Sequence, residues 1–315
     1  MKFRTEISFS PDNFQISYTE NIGMFGSCFV ENLFPKLQDA GFHLDVNPFG
    51  VIYNPLSISQ SLYQLLDNKK YTKDNLFQDR GIYHSFSHHS RFSGIEADAV
   101  RDKINSQIEY SSAFLRKTNV LIITFGTAYV YRLKPDGRIV ANCHKQPDSF
   151  FLHYRLSIKE IVEEWTQLLA QIHLFNPDCK VLFTVSPIRH WKNGAHENQL
   201  SKSTLLLAID ELTKTNQNCY YFPSYEILLD DLRDYRFYKE DMIHPSDQAI
   251  EYIWEKFASL YFNEETKDMI KEWNDIQRSL NHKPFNPESE QYLLFRKKAE
   301  ERQEIFLRKK TEKKY

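Results

Sequence analysis

Three short runs, Asn21–Gly26, Val120–Phe125 and Lys180–Val185, constrain the fold more than any other feature of this chain. They are largely apolar, and the second is continuously β-branched and aromatic, as in strands covered by helices on both faces. Each ends at a breaker: Gly26-Ser27, Gly126, and Ser186-Pro187. Between them, apolar residues recur at helical spacing over 30–41, 55–66, 158–174, 201–213 and 247–262. Weaker strands are expected at 42–46 and 220–222. Strands alternating with helices pair in parallel through long crossovers. The expected fold is therefore a three-layer α/β domain of flavodoxin-like type, with about five parallel strands and a helical C-terminal extension.

The chain has 315 residues, and its 40 Lys+Arg against 42 Asp+Glu leave a net charge of −2. Such a balance gives no global field toward nucleic acid or an anionic membrane, and neither is expected as a partner. Cys28, Cys143, Cys179 and Cys219 are scattered and form no CxxC pair, which argues against a disulfide scaffold or a zinc knuckle. The first twenty residues lack the roughly 7–15-residue apolar stretch of a signal peptide, and no run approaches the roughly 18 apolar residues of a spanning helix. A cytoplasmic location is the expectation.

Two segments break the alternation. Residues 67–118 are polar and rich in His and Ser, and read as an insertion in a domain spanning 1–282. Within them His84, His88 and His89 have no Cys or carboxylate at ligand spacing, so they read as a polar surface loop and no metal is expected. Residues 283–315 mix both charge signs with Leu293, Leu294, Phe295, Ile305, Phe306 and Leu307, and read as a charged helical tail outside the core. Those apolar residues need cover, from the domain or from a second subunit, and the second route makes a homo-oligomer.

Ligands of open parallel sheets bind at the carboxyl ends of the strands. The residues there are Gly26-Ser27-Cys28-Phe29, Asn47-Pro48-Phe49-Gly50, Gly126-Thr127-Ala128 and Ser186-Pro187-Ile188-Arg189-His190, with Asp241-Met242-Ile243-His244-Pro245 before the last core helix. A serine nucleophile needs a base, a carboxylate to orient that base, and donors for the developing oxyanion. Ser27 follows a strand and opens a helix, so its N–H belongs to the positive end of that helix. Asp241 and His244 are three residues apart in a turn, which allows the carboxylate to hold Nδ1 while Nε2 faces the serine. Cys28 is the rival nucleophile, but it points away from Ser27 around the helix and reads as a core residue. Tyr235, Phe237 and Tyr238 read as core packing beside the site.

The set resembles the GSCFA family of the SGNH (GDSL-type) hydrolase superfamily, on Gly26-Ser27-Cys28-Phe29-Val30 and on further blocks. These include Asn47-Pro48-Phe49-Gly50-Val51-Ile52-Tyr53-Asn54-Pro55, Asn142-Cys143-His144-Lys145, Ser186 to His190, and 231–238 with Asp241 and His244. The resemblance covers about residues 20–260. It implies the SGNH-type fold, Ser27 as nucleophile, His244 as base, Asp241 as its orienting carboxylate, and Ser27 and Gly50 as oxyanion donors. The superfamily's third block reads Gly-x-Asn, whereas Ala128 stands here, so Asn54, Thr127 or Asn142 would replace that donor. Asn142, Arg189, His190 and Lys202 are the expected substrate-binding residues. The expected activity is that of a cofactor-independent serine esterase acting on a small-molecule or carbohydrate ester, with acetyl as one candidate acyl group. An O-acyltransferase using the same triad and a non-catalytic carbohydrate-binding or scaffold protein are the alternatives.

Overall fold

The structure, a computed structural model, describes residues 5–7 and 14–312. Strands β1 (Asn21–Gly26), β2 (His43–Val46), β3 (Val120–Phe125), β4 (Lys180–Val185) and β5 (Cys219–Phe222) form one sheet in the order β5-β4-β3-β1-β2. Every neighbouring pair is parallel. That is the flavodoxin-like order, with the chain reversing direction between β1 and β3 and leaving a crevice beyond their carboxyl ends. All residues of β1 and β3 are buried, which explains why both runs lack the apolar–polar alternation of a half-exposed strand.

The two faces of β3 show how the layers form. Leu121, Ile123 and Phe125 point to one side, where α2 (Pro55–Leu66), α3 (Ala97–Leu115), α4 (Ile158–Phe175) and α5 (Gly194–Thr215) add Ile58, Ile108, Trp165 and Leu205. Val120 and Ile122 point to the other, where α1 (Cys28–Asp39) and α6 (Asp247–Tyr261) add Phe29, Leu33, Ile253 and Phe257. Period-two alternation in the strand thus meets period-3.6 stripes on the helices. Among the described residues, no helix is long and apolar enough to cross a membrane.

Two expectations need correction. Residues 67–118 are not wholly an insertion, because α3 is the crossover helix into β3. Its narrow stripe of Val100, Ile104, Ile108 and Leu115 is buried against the sheet, while the rest of the helix is polar. His88 is likewise buried rather than on a surface loop, stacked on Phe49 at 4.6 Å and close to Phe92. Burial pushes its imidazole down to about 3.

The tail is also not outside the core. After α7 (Glu264–Leu280), α8 (Glu290–Glu312) turns back and inserts a fully buried Phe306 edge-on to Tyr18 and beside Trp273. Lys309 pairs with Glu272 at 2.9 Å, and Lys310 Nζ donates to Gly41 O at 2.6 Å. Burying one such Phe contributes about 1.5–3 kcal/mol, enough to hold a helix that is otherwise charged. Leu293, Leu294, Phe295, Ile305 and Leu307 remain exposed.

Candidate functional site

At the end of β1 the chain makes a strand–turn–helix elbow. Gly26 has φ +145°, and a Cβ there would lie 2.2 Å from the Thr124 carbonyl oxygen on β3, so no side chain fits. Its N–H donates to Asn47 Oδ1 at 2.9 Å and its carbonyl accepts from Ile52 N at 3.0 Å. Ser27 is the N-cap of α1, its Oγ accepting from Phe29 N at 3.3 Å, and it is 3% exposed. Gly126, just past β3, packs beside it: a Cβ on Gly126 would lie 3.2 Å from Ser27 Cβ.

The second part is the turn before α6. Asp241 Oδ1 accepts the backbone N–H groups of Ile243 and His244, each at 2.9 Å, while Oδ2 lies 2.5 Å from His244 Nδ1. Those contacts, the His244 amide first, hold the Asp241 carboxyl down at about 2. An ionised carboxylate is acceptor-only, so Nδ1 carries a proton toward Asp241 and Nε2 is the ring nitrogen left to exchange one.

Ser27 and His244 line one cavity of about 440 Å³, together with Cys28, Tyr53, Gly126, Ser186 and the run 188–192. No hydrogen bond joins Ser27 to His244; the serine hydroxyl is engaged by the Phe29 amide. Bonds of this kind are often long before substrate binds.

The other expected donors are differently placed. Gly50 N–H is taken by Asn47 O at 2.6 Å, and a Cβ on Gly50 would lie 2.1 Å from His89 Cβ, so this glycine serves a tight turn and does not line the cavity. Asn54 caps α2 through Ser57. The Thr127 hydroxyl meets Ser201 Oγ at 3.1 Å and Tyr129 N at 3.1 Å. Asn54, Thr127 and Asn142 line a neighbouring cavity of about 430 Å³, which shares Tyr53, His190 and Lys192 with the first.

Arg189 and His190 line the first cavity, and burial lowers the His190 pKa. Lys202 does not: it is 1% exposed and donates to Gly126 O and Ser186 O, both at 2.7 Å. It ties together the ends of β3 and β4 beneath the cavity instead of meeting substrate, and burial pushes its ammonium down to about 7. Tyr235 is not core packing, being 69% exposed.

Comparison with known proteins bears on all of these blocks together. Residues 21–257 match the GSCFA family, and residues 273–312 match the GSCFA domain protein, C-terminal domain. The chain belongs to the GSCFA family. No curated protein matches it. Solved structures similar to this GSCFA chain include a carbohydrate esterase family 3 protein from Talaromyces cellulolyticus, with 9% identity over 80% of this chain and 98% of that one and a TM-score of 0.36. An acetyl xylan esterase from the rumen bacterium Butyrivibrio proteoclasticus is 11% identical over 78% of this chain and 64% of its own, with a TM-score of 0.39.

Sequence reasoning missed Tyr53 in this cavity and placed Cys28 in the core. The Tyr53 carbonyl accepts both Gly126 N, at 2.7 Å, and Thr127 N, at 3.0 Å, so the amides of the third block brace the loop after β2 against the end of β3. Its hydroxyl lies 3.4 Å from Cys28 Sγ, which lines the cavity and is not a core residue. The Asn-Pro at 54–55 that starts α2 signals the turn, but no spacing signals that Tyr53 O collects two amides.

Proposed function

We propose that the protein is a serine hydrolase of esters. The observation that carries this reading is that a helix-capping Ser27, at the end of a central strand, faces the same cavity as a histidine whose Nδ1 is held by a carboxylate. In the proposed reaction Ser27 Oγ bonds to the ester carbonyl carbon while its proton passes to His244 Nε2. The Ser27 N–H at the head of α1 receives the developing oxyanion. Collapse expels the alcohol, which takes the proton from His244, and water then repeats the sequence to release the acid. The half-exposed His244 favours water over a sugar hydroxyl as acceptor, since acyl transfer needs a site that shuts water out.

A fluorophosphonate probe tests the assignment. Mass spectrometry should find the adduct on Ser27, and Ser27→Ala should abolish labelling and lower ester turnover by at least about 10³-fold. Labelling on Cys28, or none in folded protein, overturns it.

A further inference from the structure

Among the described residues Arg189 has no counter-ion. Among the described residues it makes no ion pair and no side-chain hydrogen bond, and its buried Nε is without a partner. Its guanidinium lies over the rings of Trp191, 5.0 Å from the centroid, and Tyr238, at 4.9 Å. Contacts through the guanidinium face leave the N–H edges available, and those edges match the two oxygens of a carboxylate. The setting is one-sided in charge. Lys192 also lines the cavity, and no Asp or Glu does among the described residues. Lys192 is already engaged by Tyr131 OH at 2.6 Å and by Asp148 at 3.9 Å. Asp234, in the groove on the far side of Arg189, is engaged by Arg236. A positive cavity in a chain of net charge −2 is a local feature, not an overspill of global charge.

We propose that the ester cleaved at this site carries a carboxylate, which Arg189 receives edge-on at the wall of the cavity. The proposal rests on the ester-hydrolase reading and adds the chemical class of substrate. Arg189 is then the specificity-determining residue, and the aromatic pair holds its side chain in place before the substrate arrives, which lowers the ordering cost of binding.

The test uses three esters: phenyl acetate, 4-acetoxybenzoate with its anion on the alcohol, and monophenyl succinate with its anion on the acyl group. The quantity read is kcat/KM for each anionic ester divided by that for phenyl acetate. One of the two ratios should fall about 10–100-fold in Arg189→Met, as expected for loss of a charge-assisted pair, and the ester affected says which side of the bond the carboxylate occupies. Arg189→Lys should recover part of the ratio, because charge returns without the two-pronged edge. Equal ratios in wild type and Arg189→Met for both anionic esters overturn the proposal. Calorimetric titration of Ser27→Ala with succinate and with 4-hydroxybenzoate reads the same site without turnover. Binding of either, lost in Ser27→Ala/Arg189→Met, supports the anion site even if the hydrolase reading fails, and binding of neither to Ser27→Ala overturns it.

Discussion

Ser27 is 3% exposed and stands where a fully buried strand meets a helix, whereas the side chains of His244 and Asp241 are 41% and 47% exposed in a surface turn. Ser27 inherits its position from the sheet. β1 is paired on both sides, and Asn47 locks the residue before the serine. The dyad inherits its position from itself. One carboxylate holds two amides and the imidazole, and further support comes from the Lys239 N to His244 O bond of 2.8 Å, the Tyr238–Pro245 bridge and the Ser246 N to Phe237 O bond of 2.7 Å. Changes in the scaffold around Ser27 should therefore appear as lost stability, and changes in the Asp241–His244 pair as lost rate with the fold intact.

The sharpest separation should come from Asp241→Asn. The amide oxygen can still hold the backbone, but its NH₂ then faces Nδ1 and forces the proton to Nε2, so ester turnover should fall by about 10²–10⁴-fold with the thermal midpoint little moved. Unaltered turnover would reduce Asp241 to a turn residue. On the buried side, Gly26→Ala drives a Cβ to 2.2 Å from the Thr124 carbonyl. Denaturant unfolding should show a loss of at least about 1–3 kcal/mol, the usual penalty for overpacking. A wild-type midpoint would mean that the elbow is looser than its geometry.

Met242 offers the matching change in the turn, being a non-glycine at φ 57° and 45% exposed. Met242→Gly exchanges backbone strain for chain entropy and should shift stability by less than about 1 kcal/mol. A shift as large as that of Gly26→Ala would erase the contrast between the halves. Smallest of all is the acid response of the turn. Asp241 titrates lower in the folded chain, about 2, than its ordinary 3.8, so its stabilisation is complete above 3.8 and lost as pH falls toward 2. Any difference in thermal midpoint between wild type and Asp241→Asn should be level at neutral pH and fade across that window. A difference that persists at the acid end would point to a role other than charge.

What could be read beforehand follows the same division. β1, β3 and β4 were legible because burial on both faces leaves continuous apolar runs, and the elbow at Ser27 and the Asp241–His244 contact were legible because strand–Ser–helix and Asp-x-x-His are local patterns. α3 was obscured because its core stripe is one residue in three or four among Asp, Lys, Asn and Gln. The small antiparallel sheet of Tyr129–Leu133, Ile139–Val140 and Phe151–Arg155, which walls the second cavity, was hidden by its mixture of Tyr, Arg and His. Lys202 reads as a substrate-binding residue, and its burial beneath the cavity depends on two carbonyls at the ends of distant strands. The engagement of Gly50, Gly126 and Thr127 amides by Asn47 and Tyr53 carbonyls is likewise tertiary, so oxyanion donors cannot be counted from motif letters.

The layer that carries α1 is closed by chain far from it. Ile16 O accepts from Thr266 Oγ1, 250 residues later, and Gly41 O accepts from Lys310, 269 residues later. During synthesis at about 5–20 residues per second, Phe14, Ile16 and Tyr18 therefore wait on the order of 10–50 s for the helices that cover them. Helix α1 is translated early and finished late. An apolar surface left uncovered for that interval is one that a ribosome-associated chaperone can hold.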